Sequence, residues 1–149
     1  MFHYESIGLP NIWLANGYDT VETPYGKAVA IHDLNGLHQA IIDHLVHSLN
    51  PLTGPELRFL RKELGLSQKT LGDYLGRDAQ SVALWEKRAT STRSMLMADR
   101  LLRLLAIEHS KGTAPVKDLL DYLRDADSKP EYTDRRIFEW QGQHWIDAA

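Results

Sequence analysis

Between Asp78 and Arg88 the chain reads DAQSVALWEKR, and its chemistry lies in an amide, a hydroxyl and two adjacent cations set around an aromatic anchor. Gln80 can donate and accept at once, the pattern that pairs bidentately with adenine in the major groove. Leu84 offers an apolar surface of the kind that fits a thymine methyl. Lys87 and Arg88, with Arg77 just ahead of the stretch, are charges suited to backbone phosphates. Gln68 opens the preceding run behind Ser67, where a side-chain amide and the free N–H groups of a helix start can together hold a phosphate. These types point to recognition of double-stranded DNA, with Gln80, Ser81 and Leu84 toward base edges and Gln68, Arg77, Lys87 and Arg88 toward phosphates. No serine–histidine–acid arrangement, phosphate-cradling glycine loop or carboxylate pair stands out from ordinary spacing, so no catalytic residue, no cofactor and no enzymatic activity are expected.

Three short helices must position these groups. Thr53 and Glu56 form a capping-box pair ahead of Leu57, Leu60 and Leu64, which share one face, with Arg58, Arg61 and Lys62 expected to point away; Gly65 ends the run. Ser67 is a second N-cap, and Leu71, Tyr74 and Leu75 give the next helix its apolar face before Gly76 closes it. Asp78 is a third N-cap, beyond which only Val82 and Trp85 are expected to enter the core. At about 100° per residue, a core direction midway between those two puts Gln80 and Lys87 opposite it, with Ala83 and Leu84 to either side. A helix entering the groove N-terminus first would bring Gln80 and Ser81 to the base edges early.

The stretch LGLSQKTLGDYLGRDAQSVALWEKR resembles the Xre family of phage-repressor-type regulators, whose pattern is L-S-Q-x-x-L-A-x-x-L-G, a short turn, then Q-x-V-x-x-W-E-x-G. The resemblance spans about 36 residues, Thr53 to Arg88. It departs at Gly72, where the family usually has Ala, and at Arg88, where Gly is common. It implies a five-helix, phage-repressor-like helix-turn-helix domain over residues 51–126, acting as a transcriptional repressor. A homodimer on a palindromic operator follows from the physics as well, because one helix contacts only a few base pairs and two half-sites about one turn apart supply specificity. The front section, YESIGLPNIWLANGY followed by VAIHDLNGLHQAI, and the junction LTGPELRFLR (Leu52 to Arg61) are similar to MqsA-like antitoxins. That likeness implies an antitoxin autoregulating a toxin–antitoxin operon, with a cognate toxin as protein partner. The family's module holds zinc through two Cys-x-x-Cys pairs; this chain has no cysteine, and Thr23-Pro24-Tyr25-Gly26 stands where a pair would be. The alternatives are a free-standing Xre-type regulator whose N-terminal module senses a ligand or binds protein, and a small metal-dependent enzyme built on the N-terminal histidines.

Composition fits this picture. The 149 residues, 43% hydrophobic, suffice for one or two small domains. No apolar run reaches membrane length and MFHYES lacks the pattern of a secretion signal, so the cytoplasm is expected, in keeping with the lack of cysteine. The net charge of −3 conceals an uneven distribution. From Thr53 to Leu105 there are ten Lys or Arg against six Asp or Glu, a balance of +4, and −7 remains elsewhere. Counterion release would act where the basic charge sits.

The expected architecture is mainly α: a small α+β N-terminal module (1–50), the helix-turn-helix domain (51–126), and a linker with an aromatic tail (127–149). In the module, Phe2–Tyr4, Asn11–Ala15 and Ala28–Ile31 read as strands of a hairpin or three-stranded sheet. A helix from Leu34 to Leu49 carries Leu37, Ile41, Leu45 and Leu49 on one face, and Asn50-Pro51 breaks it. His32, His38, His44 and His47 cluster here, yet no metal site is expected, since three or four ligands would have to converge. Thr90–Ser94 reads as a loop over the phosphate backbone with Arg93 in reach. Ala98, Leu101, Leu102, Leu105 and Ile107 form the next helix, stopped at Gly112. Pro115 starts another, whose stripe of Val116, Leu119, Leu120 and Leu123 either closes the core or makes a dimer contact. Residues 126–134 read as linker. The tail RIFEWQGQHWI reads as a hairpin about Gln141-Gly142 whose tryptophans dock on their own chain, a dimer mate or another protein.

Overall fold

The computed structural model describes residues 1–126 and 135–148; the expected linker falls largely outside these residues. Close to half of the described residues lie in six α-helices, and the strands pair as three separate two-stranded antiparallel sheets. None of these helices is long and apolar enough to cross a membrane.

Helix starts follow local chemistry. Helix α2 (Gly54–Glu63) opens on the Thr53–Glu56 capping box, α3 (Gln68–Leu75) on Ser67 and α4 (Ala79–Glu86) on Asp78, each cap oxygen accepting the N–H three residues on. Apolar faces then merge: Leu57, Leu60, Leu71, Val82, Met95, Ala98 and Leu102 are almost completely buried. Helix α5 (Leu96–Ser110) lies across this cluster and α6 (Pro115–Ala126) follows it. Buried Glu108 on α5 accepts the Val116 and Lys117 N–H groups at 3.0 and 2.9 Å, which satisfies the start of α6. On its flank, Tyr74 donates to Asp121 at 2.5 Å and Lys117 donates to the same carboxylate at 2.8 Å.

The N-terminal section differs from expectation in three places. Helix α1 (Leu34–His47) ends two residues short of Leu49, which is wholly exposed. The Arg103 guanidinium gathers the Val46, Ser48 and Asn50 carbonyls at the helix end, while Asp99 pairs with Arg103 at 2.7 Å and accepts the Leu52 N–H at 2.7 Å. Those freed carbonyls find the half-buried Arg103 guanidinium, so the chain turns before Pro51. The start of α1 is Asp33, in the left-handed region at φ 45°, where an Asp is tolerated and its carboxylate caps Gly36. The strands form two pairs rather than one sheet: β1 (Phe2–His3) with β2 (Trp13–Leu14), and β3 (Tyr18–Thr23) with β4 (Gly26–Ile31). β3 has no counterpart among the expected strands.

The hydrophobic core runs across residue 50 without a break, since Leu9, Ile41 and Leu45 belong to the same cluster as Leu52, Leu57 and Leu60. The tail forms β5 (Phe138–Trp140) paired with β6 (Trp145–Asp147), and the loop is four residues, closed by the Gln141 N–H to the His144 carbonyl at 2.8 Å, rather than a two-residue turn.

Candidate nucleic-acid interface

Helix α4 is seated from behind by three buried groups, not two: Val82, Trp85 and Glu86. Glu86 enters the core because it has a partner there. Arg61, expected to point away from the α2 core face, turns inward and donates from Nε and Nη2 to the two Glu86 oxygens at 2.6 and 2.9 Å. Its Nη1 donates to the Leu66 carbonyl at 2.8 Å. This two-pronged pair fixes α4 to α2 with geometry that a lysine could not reproduce. Gln68 completes it: its Nε2 donates to Glu86 at 3.1 Å, so its half-buried amide is directed into the protein.

Two glycines mark where backbones come closest. A Cβ at Gly54 would lie 2.4 Å from the Trp85 carbonyl and 2.5 Å from that of Arg88, so the start of α2 abuts the end of α4. The Gly54 N–H donates to the Arg88 carbonyl at 2.9 Å, which anchors the backbone that carries Arg88. At Gly72 a Cβ would meet the Arg77 carbonyl at 2.6 Å. The lack of a Cβ at Gly72 therefore allows α3 to lie close against the connection before α4.

The opposite face of α4 is open. Gln80, Leu84 and Lys87 are exposed, Leu84 at 61%, and Ala83 is half-buried on the shoulder. Ser81 is engaged locally: its N–H and Oγ both donate to Asp78 at 2.8 and 2.7 Å, and these bonds hold the Asp78 carboxyl below its ordinary value of 3.8. Arg77 is exposed and its guanidinium lies 5.2 Å from the centre of the Trp85 ring. Lys87, Arg88 and Arg93 are exposed and have no ion-pair partner among the described residues. The 3-10 turn at Arg93–Met95 leads into α5 with Met95 buried and Arg93 outside. Gln80, Leu84, Lys87, Arg88 and Arg77 thus bring an amide, an apolar group and cations to the surface around one short helix, whereas Gln68 and Ser81 serve first to hold it.

No family model, curated protein or solved structure matches the chain. What α4 can bind is read from its own residues.

The N-terminal histidines are used one by one. His38 bridges elements: its Nδ1 faces Glu63 at 2.8 Å and its Nε2 faces the Tyr4 hydroxyl at 3.0 Å. A carboxylate only accepts, so Nδ1 carries a proton toward Glu63, and Nε2 meets the Tyr4 hydroxyl. Burial, and then the Glu63 charge, push the Tyr4 hydroxyl above its ordinary value of 10.0, which suits a bolt rather than a nucleophile. His32 contacts Asp19 at 2.6 Å, and His47 contacts the Asp43 carbonyl at 2.8 Å. Among the described residues no group of three or more such side chains is arranged to hold a metal ion. Sequence reasoning missed the Arg61–Glu86 pair. The available signal was two opposite charges, each adjacent on the helical wheel to a core residue, Leu57 for Arg61 and Val82 for Glu86.

Proposed function

We propose that the chain is a sequence-specific double-stranded DNA-binding regulator in which α3 and α4 form a helix-turn-helix and α4 enters the major groove. The observation that carries this reading is the two-sidedness of α4. Val82, Trp85 and the Glu86–Arg61 pair lock one face, and the other offers Gln80, Leu84 and Lys87 to solvent. A short helix pre-set in this way loses little side-chain and backbone freedom on binding. Gln80 and Leu84 read base edges; Lys87, Arg88 and Arg93 take phosphates; Arg77 is held beside the groove by Trp85. Gln68 and Ser81 contribute by positioning α4, and the backbone N–H groups at the start of α3 remain the phosphate contact on that side.

The regulator acts as a repressor on a two-fold operator. Its antitoxin form rests on the junction Leu52–Arg61 and the front section, so a short basic open reading frame encoded beside this one supports it, and neutralisation of that product by co-expression tests it. The DNA reading is tested directly by titrating the full chain into a labelled duplex from its own promoter region. Retardation at submicromolar protein, competed by unlabelled promoter but weakly by scrambled duplex, is expected. Equal binding to both duplexes, or none to either, contradicts it.

A further inference from the structure

Two apolar surfaces stand open in the same chain. On α6, Val116 and Leu120 pack on the core, whereas Leu119, Tyr122 and Leu123 are 56%, 70% and 48% exposed. At about 100° per residue these three form one contiguous stripe beside the core-facing side of the helix. In the tail hairpin, Trp140 stands directly opposite Trp145 and Phe138 lies two residues before Trp140, so all three share one face. They are 60%, 52% and 66% exposed for Phe138, Trp140 and Trp145, and the two indoles lie 5.5 Å apart, centre to centre. A lone two-stranded hairpin is marginal in water, and three large aromatics on one face need a cover.

We infer that the aromatic face of the hairpin docks on the α6 stripe of a second copy of this chain, each copy giving its hairpin and receiving its partner's. Both faces are uncovered at once in the single chain, so the hairpin is not spent on its own α6. Area supports a reciprocal exchange over a single contact. The open parts of three aromatics amount to roughly 350 Å², and those of the α6 stripe to roughly 250 Å². One such contact buries at most about 600 Å², enough for a weak pair alone, whereas two related by a two-fold axis bury up to about 1,200 Å², at the lower edge of the range of stable interfaces. The exchange is self-complementary, as a two-fold dimer requires.

The inference goes beyond DNA binding and is measured without DNA, so its failure is distinguishable from a failure of the promoter titration. Sedimentation equilibrium of the full chain is expected to show a dimer at tens of micromolar. Trp140→Ser with Trp145→Ser breaks the hairpin face, and Leu119→Asp with Tyr122→Asp breaks the stripe. Each double variant is expected to dissociate at least tenfold more readily, with circular dichroism showing unchanged helix content. The decisive arm is an equimolar mixture of the two variants, in which one of the two exchanged contacts is intact. The mixture is expected to associate more tightly than either variant alone and more weakly than the parent, because one contact survives where the parent has two. A monomeric parent overturns the inference, pointing to docking within one chain or on a foreign protein. So does a variant that dimerises like the parent. A mixture that associates no better than either variant alone overturns it too, whereas hairpin-on-hairpin or stripe-on-stripe association would leave one of the two variants dimerising like the parent.

Discussion

The segment from Thr53 to Arg88 and the ribbon from Tyr18 to Ile31 are held by different forces. In the first, each helix begins on a side-chain cap, the apolar faces merge into one core, and a buried ion pair ties the last helix to the first. In the second, six backbone partners set the register of β3 and β4 about Pro24-Tyr25, and from Asp19 to Ala30 every residue is exposed. Burial makes the helical segment cooperative, so damage anywhere in it is felt everywhere. Beyond the contact of Tyr18 with Phe2, ring centres 5.4 Å apart, the ribbon has local pairing, and most substitutions along it should be silent in the global fold.

The largest effect that would break this contrast is expected at Glu86. Glu86→Ala leaves Arg61 charged and unpaired in the core, which should cost about 3–5 kcal/mol in urea denaturation. Replacing both partners with apolar residues of similar volume, as in Arg61→Met with Glu86→Leu, should recover most of that loss. Should Glu86→Ala unfold at the parent's urea midpoint, the pair does not lock α4.

A more local effect is expected where α6 meets α3. The Lys117 bond, and then the Tyr74 bond, hold the Asp121 carboxyl below its ordinary value of 3.8. A depressed carboxyl stabilises the fold in full above that value, and the contribution fades as pH falls through the lower folded value. At the other end, burial and the bond to Asp121 raise Tyr74 above 10.0, and the Asp121 bond raises Lys117 above 10.5. Their contribution is present at neutral pH and is lost as pH rises through those raised values. Amide exchange in α6 should therefore accelerate before that of α2 both below about pH 4 and above about pH 10, and Asp121→Asn should remove the acid-side dependence. Exchange that speeds up together in both helices would show that α6 is not a separate unit.

The smallest effect sharpens the other side. Val21→Thr on β3, which is nearly half exposed, should change global stability by no more than about 0.5 kcal/mol. A larger loss would mean that the ribbon shares the core's cooperativity.

The legible parts of the fold were those decided within a few residues. Thr53 with Glu56, Ser67, and Asp78 cap three positions ahead, and the periodic leucines needed nothing distant to be understood. Arg61 and Glu86 lie 25 positions apart, and either charge read alone belongs at the surface. Leu49 has the right spacing for the α1 face, but Arg103, more than fifty positions away, takes the carbonyls and ends the helix before it. In β3, YDTVET carries Asp19 and Glu22 and alternates weakly; its partner strand and the turn make it a strand. On α4, helical geometry about the local anchors Val82 and Trp85 puts Gln80, Leu84 and Lys87 on the exposed face, where they lie. The inward turn of Gln68 depends on Glu86 and was hidden with it.

We propose that the open face of α4 reads DNA while its buried face only holds the helix in place. Fluorescence anisotropy on promoter and scrambled duplexes at two salt concentrations, with Gln80→Ala, Lys87→Ala and Trp85→Ala beside the parent, tests it most directly. Gln80→Ala should weaken promoter binding by about 1–3 kcal/mol with its melting temperature unchanged. Lys87→Ala should weaken both duplexes alike and lower the salt slope by about one. Trp85→Ala should lose about 3–5 kcal/mol of stability. A Gln80→Ala variant that binds the promoter as tightly as the parent, together with a Trp85→Ala variant that melts like the parent, would contradict the orientation of α4 on which the account depends.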